Sequence, residues 1–224
     1  MQTIALPEVI PVPIHCIPGV KTHGDDGSRD MMRGEETEIM GDMSAHPPVG
    51  SRLYIHFGSH NKAILTEFGK ITHSVTTMSG ELLATAMKHT ILTASVGSES
   101  IETINPEYAK LGFANAEKMG LTGAFFGARL CAVLDGATPC QVQSYLYGVL
   151  TQQDYCAFNN MFSKLPEEIV LYGRNQFIDT WRECLHDRLQ GTTISIIPYE
   201  ESEWLSLRGV QAVLSQFHQK NGGY

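Results

Sequence analysis

The chain has 224 residues, with 16 Lys and Arg against 24 Asp and Glu, for a formal net charge of −8. At 42% apolar and 18% charged it has the composition of an ordinary globular protein, long enough to bury a core without disulfides or metals. The acidic balance argues against nucleic acid or a membrane surface as partner, since both select a net basic footprint.

No apolar run approaches the roughly 20 residues of a bilayer span; the longest, 121–134, is interrupted by Arg129. Residues 1–20 read as extended, punctuated by Pro7, Pro11, Pro13 and Pro18, with a short strand at 14–17. They carry no Lys or Arg before Lys21, which is not the pattern of a signal peptide. Residues 21–33 read as a polar loop. Residues 34–43 form one short helix rich in carboxylates, and 45–50, with Pro47 and Pro48, a linker.

The period then changes to two. Leu53, Ile55 and Phe57 alternate with Tyr54 and His56, and 63–68 and 71–77 follow as further strands, giving a three-stranded meander with short turns. Ser79 is read as the N-cap of a helix to about 89, with Leu82, Leu83, Ala86 and Met87 inward. Leu121, Ala124, Phe125, Ala128 and Ala132 keep helical spacing. Thr138-Pro139-Cys140-Gln141 is a capping box with Pro at the first helical position, ahead of Val142, Tyr145, Leu146, Val149 and Leu150 on one stripe. The remainder alternates: a strand at 168–172, a helix from Asn175 with Phe177, Ile178, Trp181 and Leu185 on one face, and a strand at 193–197. A closing helix, capped by Ser202, has Trp204, Val210, Val213, Leu214 and Phe217 inward.

This order predicts an α/β fold. Right-handed crossovers place the first meander strand in mid-sheet and the two later strands parallel to it on its other side. The result is a five-stranded mixed sheet of ribonuclease-H-like type with helices on both faces. Ligands bind such sheets where the chain switches sides, and two turns leave the strands there. One, Gly58-Ser59-His60-Asn61-Lys62, offers backbone N–H groups, a hydroxyl and a cation to phosphate oxygens, though a Gly-Ser hairpin is also a common turn. The other, Gly173-Arg174-Asn175, sets a glycine before a helix N-terminus. A nucleotide spanning both is the physical hypothesis. Glu35, Glu36, Glu38 and Asp42 cannot all face one way: Glu35 with Glu38, or Glu38 with Asp42, share a face, while Glu36 turns away. They are either a solvated acidic helix start or a source of a general base.

At these residues a family resemblance becomes specific. IPGVKT (17–22), MRGEETEIMG (32–41), HFGSHNKAIL (56–65), VTTMSGELLA (75–84), the 112–130 stretch and LYGRNQ (171–176) resemble, in order and spacing, the 2-dehydro-3-deoxygalactonokinase family of sugar-acid kinases. The resemblance covers roughly residues 12 to 217 and implies the C-terminal lobe of an actin-like, two-lobed ATPase. It implies ATP-dependent phosphorylation of 2-dehydro-3-deoxy-D-galactonate on its 6-hydroxyl, with Mg²⁺, in galactonate catabolism in the cytoplasm. It further implies that Gly58, Ser59, His60 and Lys62 meet ATP phosphates and that Gly173 and Asn175 lie against adenine. Glu35 would be the base with Glu36 in reserve, and Arg33 and Glu81 would bind the sugar acid.

Departures are visible. The family's Pro-Gly-Thr reads Phe57-Gly58-Ser59, and its tryptophan after the lysine reads Ala63. No Asp-x-Gly-x-Thr phosphate loop of a first lobe occurs. Residues 1–20 are therefore read as a remnant of that lobe, 21–50 as a substrate and catalytic segment, and 51–224 as the second lobe with a helical insertion at about 98–165. The expectation is weak turnover by the chain alone, with association through the exposed cleft wall, to itself or to a missing lobe. A binding module without catalysis, or a truncated product without function, is the alternative. The nine histidines hold no HxxxH or HxH pair, so no metal site is expected. The five cysteines, with no CxxC, are expected to be reduced, buried, small apolar groups.

Overall fold

A computed structural model describes residues 2–4, 14–24, 27–161 and 166–221. Two small antiparallel hairpins come first. β1 (Gln2–Ile4) pairs with β2 (Ile14–Cys16), and β3 (Val20–His23) pairs with β4 (Arg29–Met32). The second hairpin replaces the loop expected at 21–33. Two of its polar side chains are satisfied by a neighbour on the main sheet: Thr22 is buried with its hydroxyl 2.9 Å from that of Ser74, and Asp30 accepts from Thr76 at 3.0 Å.

After α1 (Glu35–Ala45) comes the meander, β5 (Ser51–Phe57), β6 (Asn61–Glu67) and β7 (Lys70–Thr77). α2 (Ser79–His89), the one-turn α3 (Thr93–Val96), α4 (Pro106–Val133) and α5 (Pro139–Asn159) follow. The chain then returns as β8 (Glu168–Gly173), α6 (Asn175–Leu185), β9 (Thr193–Ile196) and α7 (Tyr199–Asn221). The main sheet has the order β7-β6-β5-β8-β9, with β5 central and β8 and β9 parallel to it, as the sequence requires.

Period-two alternation on β5 sends side chains to two cores. Leu53, Ile55 and Phe57 join α2, α4, α5 and α6 through residues such as Leu83, Phe113, Leu146 and Trp181. Tyr54, with Val170 and Tyr172 of β8, meets Ile39 of α1 and Leu205 of α7. α1 and α7 touch closely: a Cβ at Gly209 would collide with the Thr37 carbonyl, and one at Gly41 with the Leu205 carbonyl.

Several local expectations are corrected. Met78 is the N-cap of α2, and Ser79 is its first residue, with a hydroxyl bonded to Asp154 rather than to the helix. α7 begins at Tyr199, not at Ser202. Trp204 and Leu82 are exposed, and Leu205 is the inward residue of α7's first turns. Of the cysteines only Cys131 is buried, while Cys140 and Cys156 are exposed. The Thr138 capping box is present as predicted.

Candidate active site

The two turns meet. Phe57, at the end of β5, is in register with Gly173, at the end of β8, and the Arg174 N–H donates to the Phe57 carbonyl at 2.9 Å. Gly173 has φ +105°, and a Cβ there would drive into that same carbonyl, so glycine is required twice over. Gly58, Gly173, Arg174 and Asn175 line one cavity of about 300 Å³.

The first turn is tightly built. The Gly58 N–H donates to Asn61 Oδ1 at 3.1 Å, so it is spent inside the turn rather than offered to a ligand. The Ser59 carbonyl accepts the Glu81 N–H at 2.7 Å, and Gly80 leaves no room for a side chain against the Gly58 carbonyl. His60 Nε2 lies 3.0 Å from Glu81 Oε2, both side chains about half exposed.

Beside this lies a larger cleft of about 990 Å³, lined by Arg33, Glu35, His60 and Lys62 with the 17–21 segment. Lys62 is buried. Its Nζ donates to the Thr76 hydroxyl at 3.1 Å and the Met31 carbonyl at 3.3 Å, and lies 3.6 Å from Glu35 Oε1. Glu35 Oε2 is buried without a hydrogen-bond partner among the described residues. Glu36 does something else: it folds back, and its Oε2 accepts the Gly34 N–H at 2.7 Å, closing the start of α1. The structure thus brings Arg33, Glu35, His60 and Lys62 to one cleft and Gly58, Gly173 and Asn175 to its neighbour. Ser59 and Glu81 sit on the turn between β5 and β6 and at the start of α2, and Glu36 sits apart.

Glu38, weighed in the sequence only as part of the acidic cluster, and residues passed over there complete the picture. Glu38, His56 and Tyr172 line the smaller cavity. Glu38 Oε2, His56 Nδ1 and the Tyr172 hydroxyl are buried without well-formed hydrogen bonds among the described residues. Burial pushes the Glu38 carboxyl up, with Glu35 and Glu36 adding to it and Tyr172 opposing. Burial also lowers His56, helped by Lys62 and Arg174 against Glu35. Below the Gly58 turn, Asp154 of α5 is fully buried and accepts from Asn61, Thr77 and Ser79. A carboxylate four residues from both Leu150 and Phe158, on a stripe that is otherwise apolar, was its available signal. On the opposite face Arg52 is clamped between Asp42 and Glu168.

A sheet centred on the first meander strand, two parallel crossovers beside it, and polar turns sharing a cleft at the strand ends define an α/β fold of the actin-like, ribonuclease-H-like type. A crystal structure assigned as a 2-dehydro-3-deoxygalactonokinase from Sinorhizobium meliloti shares this fold at TM-score 0.72 and 23% identity, covering 87% of this chain and 63% of that one. The chain belongs to the 2-keto-3-deoxy-galactonokinase family, whose model matches residues 2–209. It is similar to the Probable 2-dehydro-3-deoxygalactonokinase DgoK1 of Rhizobium meliloti (strain 1021), 30% identical over 139 residues, 61% of this chain and 45% of the relative. The 2-dehydro-3-deoxygalactonokinase of Escherichia coli (strain K12) is 34% identical over 83 residues, 37% of this chain and 27% of that one. The chain therefore spans less than half the length of the curated relatives it matches. No helix of the described residues is long and apolar enough to cross a membrane.

Proposed function

We propose that the chain forms the nucleotide-holding lobe and carries the proton acceptor of a sugar-acid kinase that phosphorylates 2-dehydro-3-deoxy-D-galactonate on its 6-hydroxyl at the expense of ATP. The observation that carries this reading is the convergence of the Gly58 and Gly173 turns on one cavity, joined by the hydrogen bond from Arg174 to Phe57. The cradle suits a flat ring: at Gly173 the backbone is bare where any side chain would fill the space. In this reading adenine lies against Gly173 and Asn175. The phosphates run toward Gly58, Ser59 and His60, and Lys62 adds positive charge at the edge of the larger cleft.

Glu35 is the residue proposed to take the proton of the sugar hydroxyl. It lines the larger cleft and has one buried oxygen without a partner, whereas the reserve candidate, Glu36, is engaged by Gly34. A base must reach the proton it removes, and Glu35 is better placed to do so. Arg33, exposed at the mouth, would pair with the sugar-acid carboxylate, and Glu81 would accept from sugar hydroxyls. Mg²⁺ would arrive on the phosphates and offset their charge. Among the described residues no three His, Cys, Asp or Glu side chains converge to cage a cation, and Mg²⁺ commonly takes phosphate and water ligands.

Phosphoryl transfer depends on positioning and charge stabilisation from both walls of a cleft. These residues hold no Asp-x-Gly-x-Thr segment, so slow turnover is expected from this chain alone, rising when a complementary lobe closes the cleft. Calorimetry with ATP–Mg²⁺ and with the sugar acid tests the reading. Both should bind, and Glu35→Gln should keep both affinities while removing whatever turnover is measured. Binding without turnover in any assembly would favour a non-catalytic module. Absence of ATP binding would refute the nucleotide site.

A further inference from the structure

The phosphate turn is held from beneath by a carboxylate that a nucleotide in the cavity would not touch. Asp154 and Asn61 are both 0% exposed. Asp154 Oδ2 accepts from Asn61 Nδ2 at 2.7 Å, and Oδ1 accepts from the hydroxyls of Thr77 at 2.6 Å and Ser79 at 2.5 Å. Each donor sits at the end of an element bordering the turn: Asn61 opens β6, Thr77 closes β7 and Ser79 opens α2.

An ionised carboxylate only accepts hydrogen bonds. Asn61 must therefore turn its amide nitrogen toward Asp154, which leaves its amide oxygen facing the turn, and that oxygen accepts the Gly58 N–H. The same anchor holds Ser79, one residue before Gly80, which packs on the Gly58 carbonyl; the next residue, Glu81, closes the Ser59 carbonyl. Both sides of the turn are thus referred to one buried group. Packing alone does not call for an acid here. Leu146, Leu150 and Phe158 lie on the same stripe of α5, and an apolar residue at 154 would avoid the desolvation of a carboxylate.

We propose that Asp154 is the positioning residue of the phosphate turn: by orienting Asn61 and the start of α2, it sets the backbone from Gly58 to His60 in the shape that receives the polyphosphate of a nucleoside triphosphate. This rests on the nucleotide reading above, and the test separates the two. Asp154→Asn keeps an oxygen for Asn61 and an amide whose donors the Thr77 and Ser79 hydroxyls can accept. Asp154→Leu keeps the branched four-atom shape of the side chain and removes the acceptors.

Hydrogen exchange of the 57–61 segment, measured without ligand, should show Gly58 protection retained in Asp154→Asn. In Asp154→Leu it should fall about tenfold or more, the equivalent of one lost hydrogen bond. Calorimetry with ATP–Mg²⁺ should show a similar loss of affinity, about tenfold, for Asp154→Leu and less than about threefold for Asp154→Asn, with sugar-acid affinity unchanged in both. Unaltered Gly58 protection or unaltered ATP affinity in Asp154→Leu overturns the proposal. So does a parallel loss of sugar-acid affinity, which marks general damage. If Asp154→Leu does not fold, Asn61→Thr breaks the relay one step nearer the turn and is held to the same outcomes. A wild-type chain that binds no ATP overturns the nucleotide reading, while the exchange measurement still decides whether Asp154 anchors the turn.

Discussion

Replacing Arg52 by Met should destabilise the fold by about 3 kcal/mol. Arg52 Nε lies 2.6 Å from Glu168 Oε2, and its Nη1 donates to Asp42 Oδ2 at 3.1 Å, the His46 carbonyl at 2.9 Å and the Tyr54 hydroxyl at 3.0 Å. The Arg52 and Asp42 side chains are 10% and 8% exposed, so the pair is little screened. Removing one member of a buried pair strands the other and typically costs about 3–5 kcal/mol. The lower end applies here, because Asp42 keeps the Tyr54 hydroxyl at 2.6 Å and Glu168 keeps the Ser195 hydroxyl at 2.7 Å. For a chain of this length, about 3 kcal/mol corresponds to a fall in Tm of roughly 6–12 °C. Thermal melts followed by circular dichroism at neutral pH, in low and high salt, provide the assay. Arg52→Lys, which keeps the charge but not the planar fork, should fall between wild type and Arg52→Met. A fall of less than about 2 °C for Arg52→Met, or one abolished by salt, would show that the clamp is a surface ion pair in energetic terms, and the reasoning would be wrong.

Gly173→Ala should lose about 1–3 kcal/mol from strain at φ +105° alone and abolish ATP binding; an equally stable variant with normal affinity would remove the close approach to Phe57 from the argument. Gly209→Val should lower stability by about 1–3 kcal/mol through overpacking against Thr37 of α1, read by urea denaturation, and a neutral result would mean that α7 shifts freely. Burial pushes Asp154 from 3.8 up to about 6, against the pull of its three donors. The folded state then binds the proton more tightly than the unfolded one, so this group's contribution is fully present below about pH 4 and is lost as pH rises through about 6, a fall of about 3 kcal/mol. Asp154→Asn should flatten that part of the stability–pH curve, measured by urea denaturation from pH 4 to 7; an unchanged slope would assign it to other groups.

The amino-acid sequence alone determined the elements and their order, because the signals for them are local. Alternation at Leu53, Ile55 and Phe57, the helical stripe from Val142 to Leu150 and the Thr138 box act within one or two turns of chain. The handedness of crossovers then left few sheets to choose from, and the one with β5 at its centre formed. Polar and very short elements were exceptions: β3 and β4 read as loop because their partners, Ser74 and Thr76, lie on β7, and the three-residue β1 and one-turn α3 were not read at all. The Gly58 and Gly173 turns, Arg33 and Glu35 were visible as residue types, and the family's motifs marked their positions. What only the tertiary structure decided is which polar groups meet. Asn61 finds Asp154 across 93 residues and Arg52 finds Glu168 across 116, distances over which no periodicity carries information. Charge and hydrogen-bonding capacity are written in the residue, but whether they are spent on the protein or left for a ligand depends on where the sheet brings distant strand ends together. That is why Glu36, identical in chemistry to Glu35, closes a helix while its neighbour faces the cleft.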